Sequence, residues 1–155
     1  MGSDVLAEML DGTWNFAKLM LSKAGEFYPF GETADESGKR TMQGASTGEK
    51  HPEPRALYSL LQDAFAREAS EGRAAAVALV ANVDIPAEHR AGFKDGIRVH
   101  LEAPGHSRFV YLPYRVAPRT ALERLFRRPF QVSYAEAFSI DVPPVFFRGG
   151  GPTSA

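Results

Sequence analysis

"IRVHLEAPGHSRFVYLPY", Ile97 to Tyr114, is the stretch whose reading decides the fold. Two runs of alternating apolar and polar residues flank Ala103-Pro104-Gly105-His106, and alternation around a Pro-Gly pair is the mark of an antiparallel hairpin. A loop of two or four residues centred there leaves the same register. Ile97 then stands opposite Leu112, Val99 opposite Val110 and Leu101 opposite Arg108, while Arg98 stands opposite Tyr111 and His100 opposite Phe109. Successive side chains of a strand point to opposite faces, so the first set shares one face and the second set the other. The hairpin predicts one aliphatic surface for a core and one surface of mixed aromatic and basic character.

Working outward, "AAAVALVANVDI" (74–85) is apolar without alternation and bounded by Gly72 and Pro86, which predicts a central buried strand. Before it, Pro54 opens a helix whose Leu57, Leu60, Leu61, Ala64 and Phe65 form one stripe. Further upstream, "GEFYPFGETADESGKR" (25–40) reads as an extended segment, apolar on both faces, that turns at Asp35–Gly38 and returns as a partner strand. Val5, Leu6, Met9, Leu10, Ala17, Met20 and Leu21 recur at helical spacing and stop at Gly25. Downstream, "PRTALERLFRR" predicts a basic amphipathic helix docked by Ala121, Leu122, Leu125 and Phe126, with Arg119, Arg124, Arg127 and Arg128 in solvent. "FQVSYAEAF" predicts one further strand, and residues 141–155, rich in Pro and Gly, a flexible tail. The order is α-β-β-α-β-β-β with a short helix and strand appended. It predicts one α+β domain over residues 1–140, a five-stranded antiparallel sheet with helices mainly on one face, in a profilin-like or roadblock-like arrangement.

Composition narrows the function classes. A chain of 155 residues is long enough for one complete core. Its lack of cysteine excludes disulfides, thiolate nucleophiles and Cys-ligated metal centres. Residues 1–107 carry 11 basic and 16 acidic side chains and residues 108–155 carry 7 and 3, for a net charge of −1. That modest asymmetry gives no strong nucleic-acid signal. No apolar run approaches the roughly 20 residues that span a bilayer. The acidic start lacks the basic and apolar regions of an export signal, and Leu6 stands where myristoylation requires Ser or Thr. The expectation is a cytoplasmic protein without a membrane span.

Taken together, "GEFYPFGET", "DGIRVHLE", "FVYLPYR" and "VSYAEAF" resemble the elements of a small family of uncharacterised bacterial proteins, over roughly residues 15–138. The resemblance implies a shared fold and no activity, cofactor or site residue. "APRTALERLFRR" is longer and more basic than the connection usual in that family.

No catalytic constellation stands out. His51, His89, His100 and His106 have neither helical i, i+4 pairing nor carboxylates at ligand spacing, so no metal and no cofactor is expected. Ser59 and Ser70 fall on a helix, and no serine has a glycine elbow. The leading expectation is a non-enzymatic interaction module that binds a protein partner or a second copy of itself through Arg98, His100, Phe109 and Tyr111, an aromatic and charged set typical of interfaces. A second expectation is a small-ligand pocket between the FYPFG strand and the 86–96 loop, using Tyr28, Phe30, His89 and Asp95. A third is a hydrolase-like enzyme with dispersed acid–base residues Asp84, His89 and Asp95.

Overall fold

The hairpin closes in the expected register, with Ile97 opposite Leu112, Arg98 opposite Tyr111 and His100 opposite Phe109. Pro104 and Gly105 form its two-residue turn, with Gly105 at φ +81°, the residue order of a type II turn. The computed structural model describes residues 3–148. In chain order the elements are α1 (Ser3–Ala24), β1 (Phe30–Ala34), β2 (Arg40–Gln43), α2 (Pro54–Ser70), β3 (Ala76–Asp84), β4 (Asp95–Ala103), β5 (His106–Val116), α3 (Ala121–Leu125), β6 (Val132–Tyr134) and β7 (Phe138–Asp141). The strands build one open antiparallel sheet in the order β2-β1-β3-β4-β5-β6, with β7 also on β5, and the chain forms a single α+β domain.

The sheet has seven strands rather than five. The predicted strand "FQVSYAEAF" holds β6 and only the first residue of β7, which runs on to Asp141, and the two share one edge of the long β5. Between them the register shifts by one residue opposite Leu112 and Pro113, a β-bulge at residues 135–137. Pro113 has no N–H to give the ladder, and only its carbonyl is used, by the Ala135 N–H at 3.0 Å.

Helices cover both faces, not mainly one, and the reason is the composition of β3. Ala76, Ala78 and Val80 point to α1, where Leu6, Met9, Ala17 and Leu21 close a core with Ile97, Val99 and Leu101. Val77 and Leu79 point the other way, against Leu61 and Phe65 of α2 and against Phe146. A strand apolar on both faces needs a layer on each. Among the described residues no helix is long and apolar enough to cross a membrane.

Four local expectations are corrected. β1 begins only at Phe30, since Pro29 cannot donate to a ladder; Phe27 and Phe30 both enter the α1 core instead of opposite faces. Leu60 lies outside the buried line of α2, 46% exposed, while Leu57, Leu61 and Phe65 at i, i+4 and i+8 are buried. The basic helix is a five-residue turn whose apolar side chains are not docked: Leu122, Leu125 and Phe126 are 66%, 72% and 67% exposed. The expected tail is seated on the sheet through residue 148, with Phe146 buried, and its remainder, 149–155, lies outside the described residues.

Candidate functional site

Pro29 also opens a cleft of mixed aromatic, basic and polar lining. β1 pairs with β3 only as far as Val80, so Ala81–Asp84 have no partner on that edge. The chain at Glu26–Pro29 swings away instead, and the N-terminal half of α2 stands opposite it. The resulting cleft holds about 660 Å³, within the usual range for small-molecule sites. Tyr28 and Pro29 form one wall, Arg55, Tyr58, Ser59 and Gln62 of α2 the other, and Ala81–Val83 with Arg98 the floor. The free edge of β3 adds unpaired backbone donors and acceptors.

Arg98 is the centre of charge. Its guanidinium packs over Phe109 at 4.2 Å and over Tyr58 at 5.4 Å, and Nη2 donates to the Tyr58 hydroxyl at 3.0 Å. Such contacts contribute about 0.5–2 kcal/mol each, more as water is excluded. Nε is buried without a hydrogen-bond partner, and among the described residues no carboxylate lies within ion-pair distance of this side chain. Burial lifts the Tyr58 phenol above its ordinary pKa, with the Arg98 cation pulling back, so at neutral pH Tyr58 is a neutral phenol that accepts from Arg98 and keeps a proton to donate. A half-buried cation flanked by a phenol donor and a second arginine, Arg55, is equipped to hold an anion.

The four residues expected to form an interface are neighbours, as their register requires, but they do not form an open face. His100 and Tyr111 are 2% and 5% exposed, and Arg98 and Phe109 are half-buried. Phe146 lies on His100 at 5.1 Å, and Phe138 stacks on Tyr111 at 4.9 Å with 14° between the rings. The protein's own β7 and the segment after it take the place assigned to a partner. The face was readable from the hairpin; its cover arrives 27 residues downstream of Tyr111 and 46 downstream of His100, where no local pattern announces it.

Beneath Phe146 lies a second polar group. The Glu102 carboxylate is fully buried and accepts the backbone N–H groups of Val145, Phe146 and Phe147 at 2.8, 2.8 and 2.7 Å, with His100 Nε2 at 3.0 Å. Burial would raise its pKa, but the His100 contact and the amides outweigh it and hold the carboxyl below its usual range. Ser107 Oγ lies 3.2 Å from His100 Nε2, which invites comparison with a hydrolytic triad. Serine and carboxylate meet the same ring nitrogen, however, and a triad needs them on opposite ones. The cluster clamps the C-terminal segment.

The second set of expected residues is dispersed. Tyr28 lines the cleft, Phe30 is in the α1 core, and the exposed His89 stacks on Phe138 at 4.5 Å. Lys94 Nζ lies 3.9 Å from Asp95 and 3.3 Å from Asp84. The pocket is thus bounded by α2 rather than by the 86–96 loop, and the trio Asp84, His89 and Asp95 is tied up in a surface ion pair and a ring stack. Among the described residues no group of three or more His, Asp or Glu is placed to hold a metal ion. Tyr58 escaped the sequence reading because it lies off the apolar stripe of α2, and its contact with Arg98 spans 40 residues. Compared with family models, with curated proteins and with solved structures, the chain matches none.

Proposed function

We propose that the protein is a small-ligand-binding domain whose cleft receives a planar compound carrying a carboxylate or phosphate. The observation that supports this reading is Arg98, a half-buried guanidinium on the floor of an aromatic-walled cleft, with, among the described residues, no partner for Nε and no carboxylate beside it. A partly buried cation without a counter-charge carries a desolvation cost, and a bound anion lowers it. The rings of Tyr28 and Tyr58 supply flat apolar surface, and the free edge of β3 supplies orienting hydrogen bonds. The self-association reading has less support, because two of its four side chains are already buried by the protein's own chain.

The test is a thermal-shift and calorimetric panel of aromatic carboxylates and aryl phosphates, each paired with its uncharged amide or alcohol. Ligand at 100 times its Kd should stabilise the fold by about 2.7 kcal/mol. The shift should vanish with the uncharged analogues and in Arg98→Met, each variant read against its own ligand-free melt. Binding that survives Arg98→Met, or a panel without any hit at millimolar concentration, would remove the proposal.

A further inference from the structure

The exposed basic turn between β5 and β6 is a surface separate from the cleft. Its base is fastened: Ala117 N–H donates to the Gln131 carbonyl at 2.9 Å, Phe130 N–H to the Ser22 carbonyl at 2.8 Å, and Arg119 packs over the Phe130 ring at 4.1 Å. Its apex is built with equal care. Thr120 and Glu123 form a complete capping box at the start of α3. At its end, Arg128 N–H bonds the Glu123 carbonyl and Arg127 N–H the Arg124 carbonyl, the Schellman pattern. That pattern puts Arg127 at φ +53°, the left-handed region where glycine is favoured, and it is the one described non-glycine residue with positive φ. A basic side chain stands where the backbone favours glycine.

A turn so firmly made nevertheless leaves Leu122, Leu125 and Phe126 in solvent. Three large apolar side chains within five residues are an unusual exposure for a soluble surface. Arg124, Arg127 and Arg128 surround them, all exposed and without a carboxylate partner among the described residues. The single acid, Glu123, is occupied by the cap.

We propose that this turn is a membrane-contact element, with Leu122, Leu125 and Phe126 entering the interface of a bilayer and Arg124, Arg127 and Arg128 meeting anionic lipid headgroups. The occupant follows from the pairing of chemistries. A polyanion such as RNA would answer the arginines and could stack one base on Phe126, but it leaves Leu122 and Leu125, which cannot stack, without a partner. A bilayer with anionic lipid answers both at once, apolar side chains below and cations at headgroup level.

The full chain should sediment with vesicles of phosphatidylcholine mixed with phosphatidylserine, weakly or not at all with phosphatidylcholine alone, and less as salt is raised. Leu125→Ser with Phe126→Ser, and separately Arg124→Gln with Arg127→Gly, should each lower the partition coefficient about tenfold or more. Because these side chains are exposed, melting temperatures should hold, and Arg127→Gly should raise them by relieving the left-handed residue. A merely structural role for Arg127 predicts that rise with no loss of binding. Leu122→Ser with Phe126→Ser provides a second apolar pair should the first melt early. Absence of sedimentation with the mixed vesicles, equal binding to phosphatidylcholine alone, or full binding by both apolar pairs would each overturn the proposal, the last leaving only an electrostatic contact with an anionic surface.

Discussion

At the scale of the residue, Glu102 shows how one buried carboxylate can organise a segment distant in sequence. Three backbone N–H groups and the His100 ring oppose the cost of its burial and hold its pKa below the ordinary carboxylate range. A carboxyl whose pKa is lower in the folded than in the unfolded state stabilises the fold above the ordinary carboxylate range, and that contribution is lost as pH falls through the depressed value. The loss should begin near pH 4.3 and continue below it. Glu32 acts in the opposite sense: burial raises its pKa, with Arg40 at 3.7 Å offsetting part of it, so its contribution is present at low pH and fades as pH rises. The effect of Glu102 is therefore best read as the difference between wild type and Glu102→Gln. At pH 7 that substitution should cost about 3–5 kcal/mol in urea unfolding, and the difference should shrink in acid. Hydrogen exchange at Val145–Phe147 should accelerate in the variant; unchanged protection there would mean that the aromatic contacts of Phe146 alone hold the segment.

At the scale of the element, α2 shows what a helical stripe leaves undecided. Leu57, Leu60, Leu61, Ala64 and Phe65 all fit one apolar arc by spacing, yet only Leu57, Leu61 and Phe65 are buried in α2. The width of the arc that faces a sheet depends on how closely the helix approaches it, and that is set by the opposing surface. Gly31 sets it here: a Cβ at that position would stand 2.3 Å from the Phe65 ring and 2.7 Å from the Ala78 carbonyl. The glycine of "FYPFG" is thus the floor on which Phe65 lies, and the helix settles with Leu60 outward. Leu61→Ala should cost about 2–5 kcal/mol through the cavity it opens. Leu60→Ala should remain within about 0.5 kcal/mol of wild type, as exposed substitutions do. Parallel urea titrations check the pair, and equal losses would mean that Leu60 is sheltered in solution.

At the scale of the whole molecule, the sheet lies between α1 on one face and α2 with the 142–148 segment on the other. A hairpin face that looked available for a partner is consequently covered in part by the protein's own chain, with His100 and Tyr111 buried. Tyr111 is held between Phe109, edge-on at 6.2 Å, and the stacked Phe138. Replacing Phe109 and Tyr111 together with Ser should therefore lower stability, by about 3–5 kcal/mol for the buried aromatic alone, rather than only weaken association. Thermal melts followed by circular dichroism, with size-exclusion chromatography alongside, separate the two outcomes. A double variant that melts like wild type but elutes differently would return this face to the role of an interface.

The residues by themselves determined the antiparallel hairpin and its register, the buried central strand, the two long helices and the α+β class. Each of these rests on side-chain period and turn chemistry, which act over a few residues and are written locally. The packing of the folded chain decided the rest. Whether a helix lies on one face or both, whether residues 142–148 hang free or cover His100, and whether Leu122, Leu125 and Phe126 are docked or bare depend on contacts between elements far apart in sequence. The cleft belongs to this second kind. Pro29 can be read as a residue that ends a ladder, but Tyr58 and Arg98, 40 positions apart, become one site only when α2 crosses the sheet. Periodicity states which way a side chain faces along its own element, and only tertiary contact states what it meets there.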